Sequence, residues 1–95
     1  MNEKMITAWT VVAQGRVQGV FYRASTQKEA TRLGLMGTVQ NCSDGTVLIH
    51  VQGDPEKVDV LLQWAASGPP GARVDQLTKT PAKVDSSMIS FEILR

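Results

Sequence analysis

Two stretches of this chain repeat apolar residues at helical spacing, and each carries a single apolar stripe. Tyr22, Thr26, Ala30 and Leu33 recur every three to four residues, while Gln27, Lys28, Glu29 and Arg32 fall mostly outside the stripe. Val58, Leu61, Leu62 and Ala65 repeat the pattern later in the chain. Helices with one apolar face depend on packing for their stability, so both stripes need a common surface. The residues between them offer it. Residues 35–42 and 46–52 read as strands, the second with Val47, Ile49 and Val51 alternating, and Asp44-Gly45 within "NCSDGT" is a hairpin signal.

The flanking segments extend the same sheet. Residues 7–14 (TAWTVVAQ) read as a strand with Trp9, Val11 and Ala13 on one face and Thr10, Val12 and Gln14 on the other. Residues 88–94 close the chain as a strand with Ile89, Phe91 and Ile93 on one face. Residues 73–79 suit a further short strand, which Pro81 confines to an edge or ends. Gly34 falls where a left-handed residue closes the first helix, Asp54 and Pro55 where an N-cap and first-turn proline open the second, and "SGPPG" ends it. The order β-α-β-β-α-β, with one optional strand before the last, predicts an α+β fold. That fold is a ferredoxin-like sandwich, a mostly antiparallel sheet with two helices packed on one face. Many functions use this arrangement, so the fold names none.

Ninety-five residues make a single domain, 1–95, with a core of its own. A formal charge of +1 gives no global attraction to nucleic acid or an anionic membrane, so any bound anion needs a local site. Cys42 is the lone cysteine, which excludes an intrachain disulfide and a multi-cysteine zinc site and suits a reducing compartment. The start, MNEKMITAW, lacks a signal-like apolar run, and no stretch is apolar enough to span a bilayer. A cytoplasmic protein is expected.

One stretch is not accounted for by folding alone. In "GRVQGVFYR", residues 15–23, Gly15 and Gly19 bracket a loop where a strand gives way to a helix. Glycines open left-handed backbone angles, and such angles let successive N–H groups converge on an anion. The helix starting near Tyr22 aims its positive end at the same point, and Arg23 brings a guanidinium fork to a phosphate or carboxylate. No Gly-Lys-Ser/Thr follows, so this is not a nucleotide P-loop, and it is not the dinucleotide Gly-x-Gly-x-x-Gly pattern. The plainer reading stands beside it: the glycines form a turn and Arg23 is solvated.

"GRVQGVFYR" together with "GTVQNCSDGTVLIHVQG" closely resembles the two signatures of the acylphosphatase family, and the likeness runs from the first strand to the final "FEI". In the second signature Gly37, Asn41, Gly45, Val47 and Gly53 fall into place. Ala13, Tyr22 and Thr38 depart from the common pattern, where a larger aliphatic, a phenylalanine and an aromatic are usual; all three read as packing positions.

The resemblance implies hydrolysis of the carboxyl-phosphate bond of acyl phosphates, without a metal or other cofactor. It implies Arg23 and Asn41 as catalytic residues, with Arg23 holding the phosphoryl group and Asn41 orienting the attacking water. Gly15, Arg16, Val17, Gln18, Gly19 and Val20 would form the substrate-binding loop, through its amides at residues 16–20. The chemistry is consistent with the residues present. A carboxylate leaving group has a conjugate-acid pKa of about 4 and departs without a general acid. Phosphoryl transfer leaves the protein mainly positioning and charge stabilisation.

His50 is expected at an exposed sheet position rather than in catalysis, and Cys42 as an inert thiol lacking a partner base. Asp44 belongs to the hairpin, Asp54 to a helix cap, and Trp64 to packing against the sheet or shielding its helix. The alternative function is an acylphosphatase-like module that binds a ligand or nucleic acid without turnover. Five aromatics and a near-balanced charge argue against RNA. A closer rival is a recognition domain of a larger carbamoyl-transfer maturation protein. The partners expected are a small-molecule acyl phosphate and inorganic phosphate, with no nucleic acid and no membrane, and the chain is expected to be a monomer.

Overall fold

The computed structural model of the chain describes residues 5 to 95. The reading of the N-terminal MNEKMITAW falls in part on residues 1–4, outside the described residues. The elements are β1 (Thr7–Arg16), α1 (Tyr22–Arg32), β2 (Met36–Asn41), β3 (Val47–Gly53), α2 (Pro55–Ala65), β4 (Arg73–Pro81) and β5 (Phe91–Leu94). They form one five-stranded sheet in the order β4-β1-β3-β2-β5, antiparallel throughout except for the β2–β5 pair. Both helices pack on one face, so the expected ferredoxin-like arrangement is the observed one. Among the described residues no helix is long and apolar enough to cross a membrane.

Strand register places the apolar alternation on the helix side. Val11 lies opposite Ile49, Ala13 opposite Val47, and Val39 opposite Ile49 from the other neighbour. These residues are fully buried together with Ala30 of α1 and Val58 and Leu61 of α2. A period-two pattern on the strands and single stripes on the helices thus meet in one core.

The ends of α1 follow from its sequence. Gly34, at φ 75, closes α1 with a Schellman pair: its N–H donates to the Thr31 carbonyl and that of Leu35 to the Ala30 carbonyl. Leu35 is then buried against the core. At the start of α2, Asp54 occupies the N-cap position and its carbonyl accepts from the Val58 N–H, but its side chain makes no capping bond. The expected cap is therefore positional, with Pro55 supplying the helical start.

Two strands differ from expectation. β4 pairs with β1 from Trp9 to Arg16 and ends at Pro81, so the optional strand is a full edge strand. β5 is shorter than residues 88–94: it starts at Phe91, opposite Gly37, and Ile89 lies off the strand with 90% of its surface exposed. The cause is local. The Asp85 carboxylate accepts bonds from the Ser87 N–H and hydroxyl, and the Asp85 carbonyl accepts from the Met88 N–H, so residues 85–88 form a turn instead.

That turn is tied to the sheet face opposite the helices. The Gln52 amide donates to the Asp85 carbonyl and accepts from the Asp85 N–H, each at 2.8 Å, and Gln52 is buried. His50 lies on the same face as expected, yet it is only half-exposed, and its Nε2 is buried without a hydrogen-bond partner.

Candidate active site

The segment between β1 and α1 begins at an irregularity. The β1–β4 register shifts between Gln14 and Gly15, which releases the chain from the sheet two residues later. Gly15, at φ 133, sits where an added Cβ would run into the Arg73 carbonyl and the Asp75 N–H of β4. Its glycine character is therefore explained by close approach of the neighbouring strand. Gly19, at φ 77, has nothing within 4 Å of such a Cβ, so only its backbone angle demands glycine.

Val17 is buried and anchors the loop in the core. Gln18 fixes it from the other side: both of its amide N–H bonds reach the β2–β3 hairpin, at the carbonyls of Cys42 (2.8 Å) and Thr46 (2.9 Å). The hairpin is itself held by Asp44, whose carboxylate accepts from the Thr46 hydroxyl and N–H. Those bonds hold the Asp44 carboxyl below its ordinary pKa, the hydroxyl contributing most. Asp44 belongs to the hairpin, as its sequence position indicates.

The helix that follows starts in an unusual way. Phe21 occupies the α1 N-cap position in left-handed geometry (φ 63, ψ 25) and supplies no side-chain cap. Tyr22 turns inward and is buried, donating its hydroxyl to the Ala65 carbonyl at 2.7 Å. Burial raises the pKa of this hydroxyl well above its ordinary value. Trp64 packs on Tyr22 with ring centroids 5.8 Å apart, so it braces α1 rather than the sheet.

Arg23 follows, half-buried, and Gln27 lies one turn further along the same helix face. Arg23 donates Nη1 to the Leu94 carbonyl at 3.4 Å, and Gln27 donates to the Phe91 carbonyl at 3.0 Å. The last strand thus orients the guanidinium through its backbone. Asn41, two residues after the buried Val39, falls on the helix side of the sheet at the exposed end of β2.

These elements converge on one cleft. Its lining includes Val17, Gly19, Phe21, Arg23, Asn41 and Ile93. Of the sequence-predicted residues, Val17, Gly19, Arg23 and Asn41 are brought together there. Gly15 instead faces β4, Arg16 is exposed beside Arg73 of β4, Gln18 braces the hairpin, and Val20 packs on the core. Phe21, Ile93 and Arg95 also line the cleft and were not singled out by sequence reasoning. The signal for Phe21 is in the quoted loop; those for Ile93 and Arg95 exist only once β5 is placed beside β2. Among the described residues no group of three His, Cys, Asp or Glu side chains stands together as a metal site. A guanidinium held by a carbonyl, a primary amide and a glycine-bearing loop at a helix N-terminus suit a ligand with several anionic oxygens.

Known proteins resemble this chain in sequence and in fold. The family model described as acylphosphatase matches residues 9–93. A curated acylphosphatase of Methylococcus capsulatus is 47% identical over 85 residues, covering 90% of this chain and 92% of the relative. The solved structure of an acylphosphatase from Coxiella burnetii superposes with a TM-score of 0.91 at 33% identity, over 99% of this chain and 100% of that one. A solved HypF of T. kodakarensis contains a similar unit, with a TM-score of 0.83 at 27% identity over 94% of this chain and 12% of that much longer one. With a family match that spans both the glycine-bearing loop and the β2–β3 hairpin, and near-half identity to a relative of almost the same length, the chain belongs to the acylphosphatase family.

Proposed function

We propose that the chain is an acylphosphatase that hydrolyses the carboxyl-phosphate bond of acyl phosphates, without a metal, to a carboxylate and inorganic phosphate. The observation that carries this reading is the meeting of the Arg23 fork and the Asn41 amide with Val17 and Gly19 in one cleft at the N-terminus of α1. Arg23 and the loop amides of residues 16–20 hold the phosphoryl oxygens, and Asn41 orients a water for in-line attack.

The reaction balances without an acid–base pair from the protein. The water oxygen bonds to phosphorus, and the phosphorus–oxygen bond to the acyl group breaks. The carboxylate leaves with the electron pair. One water proton passes to a phosphoryl oxygen and the other stays on the new hydroxyl, giving a carboxylate and dihydrogen phosphate. The leaving carboxylate, with a conjugate acid near pKa about 4, needs no protonation. An alkoxide does, and an alkyl phosphate is therefore a poor substrate.

The partners in this reading are the acyl phosphate and inorganic phosphate alone, and the chain works as a cytoplasmic monomer. A net charge of +1 and a sheet face opposite the helices bearing Thr10, Val12, Thr38, Gln40 and His50 supply neither the basic surface nor the stacking aromatics of an RNA-binding module. The test is turnover of benzoyl phosphate beside an alkyl phosphate monoester, each with and without chelator. Benzoyl phosphate hydrolysis that survives chelator, with negligible monoester hydrolysis, is expected. Activity lost to chelator and restored by a divalent ion would overturn the metal-free mechanism.

A further inference from the structure

Gln27 stands outside the apolar stripe of α1, where a glutamine reads as solvated, yet it is half-buried and its amide donates to the Phe91 carbonyl at 3.0 Å. One turn earlier on the same helix face, Arg23 donates to the Leu94 carbonyl. Phe91 and Leu94 are the first and last residues of β5. The first two turns of α1 therefore hold this strand at both of its ends.

β5 depends on such ties more than the other strands do. It is four residues long, lies at the edge of the sheet and pairs with β2 alone, and Ile89 just before it is exposed. The pairing with β2 fixes the strand within the sheet, while Gln27 fixes its start against the helix that carries Arg23. Resting on the function proposed above, we infer that Gln27 is a positioning residue for Arg23. By holding Phe91 against α1 it keeps the Leu94 carbonyl where that oxygen orients the guanidinium for the phosphoryl group. At 3.4 Å the Arg23 bond has little slack, so a small shift of β5 along the helix takes it out of range. A guanidinium without this acceptor must be frozen by the ligand itself, and affinity for phosphate falls by that entropy. Gln27 does not line the cleft, so it acts through Arg23 and not on the substrate.

The experiment measures calorimetric binding of inorganic phosphate, kcat/KM for benzoyl phosphate and urea unfolding. It compares the native chain with Gln27→Met and with Gln27→Asn, whose amide is too short to reach β5, and repeats both substitutions in an Arg23→Lys background. The phosphate Kd is expected to rise about fivefold in both Gln27 variants, as for the loss of one neutral hydrogen bond. kcat/KM is expected to fall at least as far. In the Arg23→Lys background, where no fork is left to orient, the same substitutions are expected to change Kd by less than about twofold. An unchanged Kd in folded Gln27 variants would overturn the inference, because the amide would then only stabilise the fold. So would an equal loss in both backgrounds, or a loss confined to one of the two substitutions, since they share only the missing bond. A native chain that binds phosphate without turning over benzoyl phosphate would overturn the proposed activity and leave the binding test standing; one that does not bind phosphate would overturn both.

Discussion

Gly15 and Gly19 stand four residues apart in one motif, but a methyl group at each meets different surroundings. At Gly15 it strikes the backbone of β4, which cannot move aside without breaking the edge pairing. Gly15→Ala is expected to cost more than about 3 kcal/mol in urea unfolding, from overpacking and a φ closed to alanine. At Gly19 the space is open, so Gly19→Ala is expected to cost about 1–2 kcal/mol of stability while weakening phosphate inhibition more than the fold. Normal phosphate inhibition in Gly19→Ala would mean that this glycine only forms a turn. Arg23 belongs to the same scale. Arg23→Ala is expected to lower kcat/KM about a hundred- to thousand-fold and Arg23→Lys somewhat less, because lysine keeps the charge but not the fork. Equal activity of Arg23→Lys and the native chain would show that fork geometry is irrelevant. That the loop is a candidate anion site was legible in its residues, because glycine, aromatic and arginine each constrain the backbone or the charge locally. That only Gly19 of the two glycines faces the cleft was not legible, because the neighbour of Gly15 lies nearly sixty residues away in β4.

At the scale of elements, two side chains, Tyr22 and Gln52, join segments that the backbone ladders leave apart. Tyr22, where phenylalanine is usual in the family, ties the start of α1 to the last residue of α2 through its hydroxyl. Tyr22→Phe is expected to cost about 1 kcal/mol at neutral pH. The hydroxyl also makes stability depend on alkaline pH. Its folded pKa is raised above the unfolded value of about 10, so its contribution is complete below that pH and declines as pH rises past it. Tyr22 is the sole tyrosine, so tyrosinate absorbance reports on it alone. The expected result is tyrosinate appearing only together with loss of helical ellipticity; titration near pH 10 in the intact fold would contradict it. Gln52 makes the second tie, to both backbone polar groups of Asp85. Gln52→Leu strands those groups and is expected to cost about 1–3 kcal/mol, with faster hydrogen exchange at the Asp85 amide. An unchanged exchange rate would mean that the turn at residues 85–88 holds itself. This tie was hidden in the sequence, since a glutamine in an alternating strand reads as a solvated position until its partner is known.

For the whole molecule, the apolar periods sufficed for the architecture because one sheet face must bury both helical stripes. Periodicity was weaker at the edges. β4 carries exposed, largely polar side chains, and its length is set by backbone pairing with β1 rather than by alternation. Ile89 fitted an alternating pattern with Phe91 and Ile93, but the Asp85 turn takes the backbone elsewhere. The site depends on this long-range assembly. The β1–α1 loop supplies Gly19, the first turn of α1 supplies Arg23, the end of β2 supplies Asn41, and β5 orients the arginine. The proposed function divides the labour, with Arg23 and the loop holding phosphate and Asn41 placing water. Asn41→Ala, shown to be folded by urea unfolding, tests that division most directly when kcat and inhibition by inorganic phosphate are measured together. A kcat lowered about a hundred-fold or more with phosphate inhibition intact is expected; phosphate inhibition lost along with turnover would overturn the division.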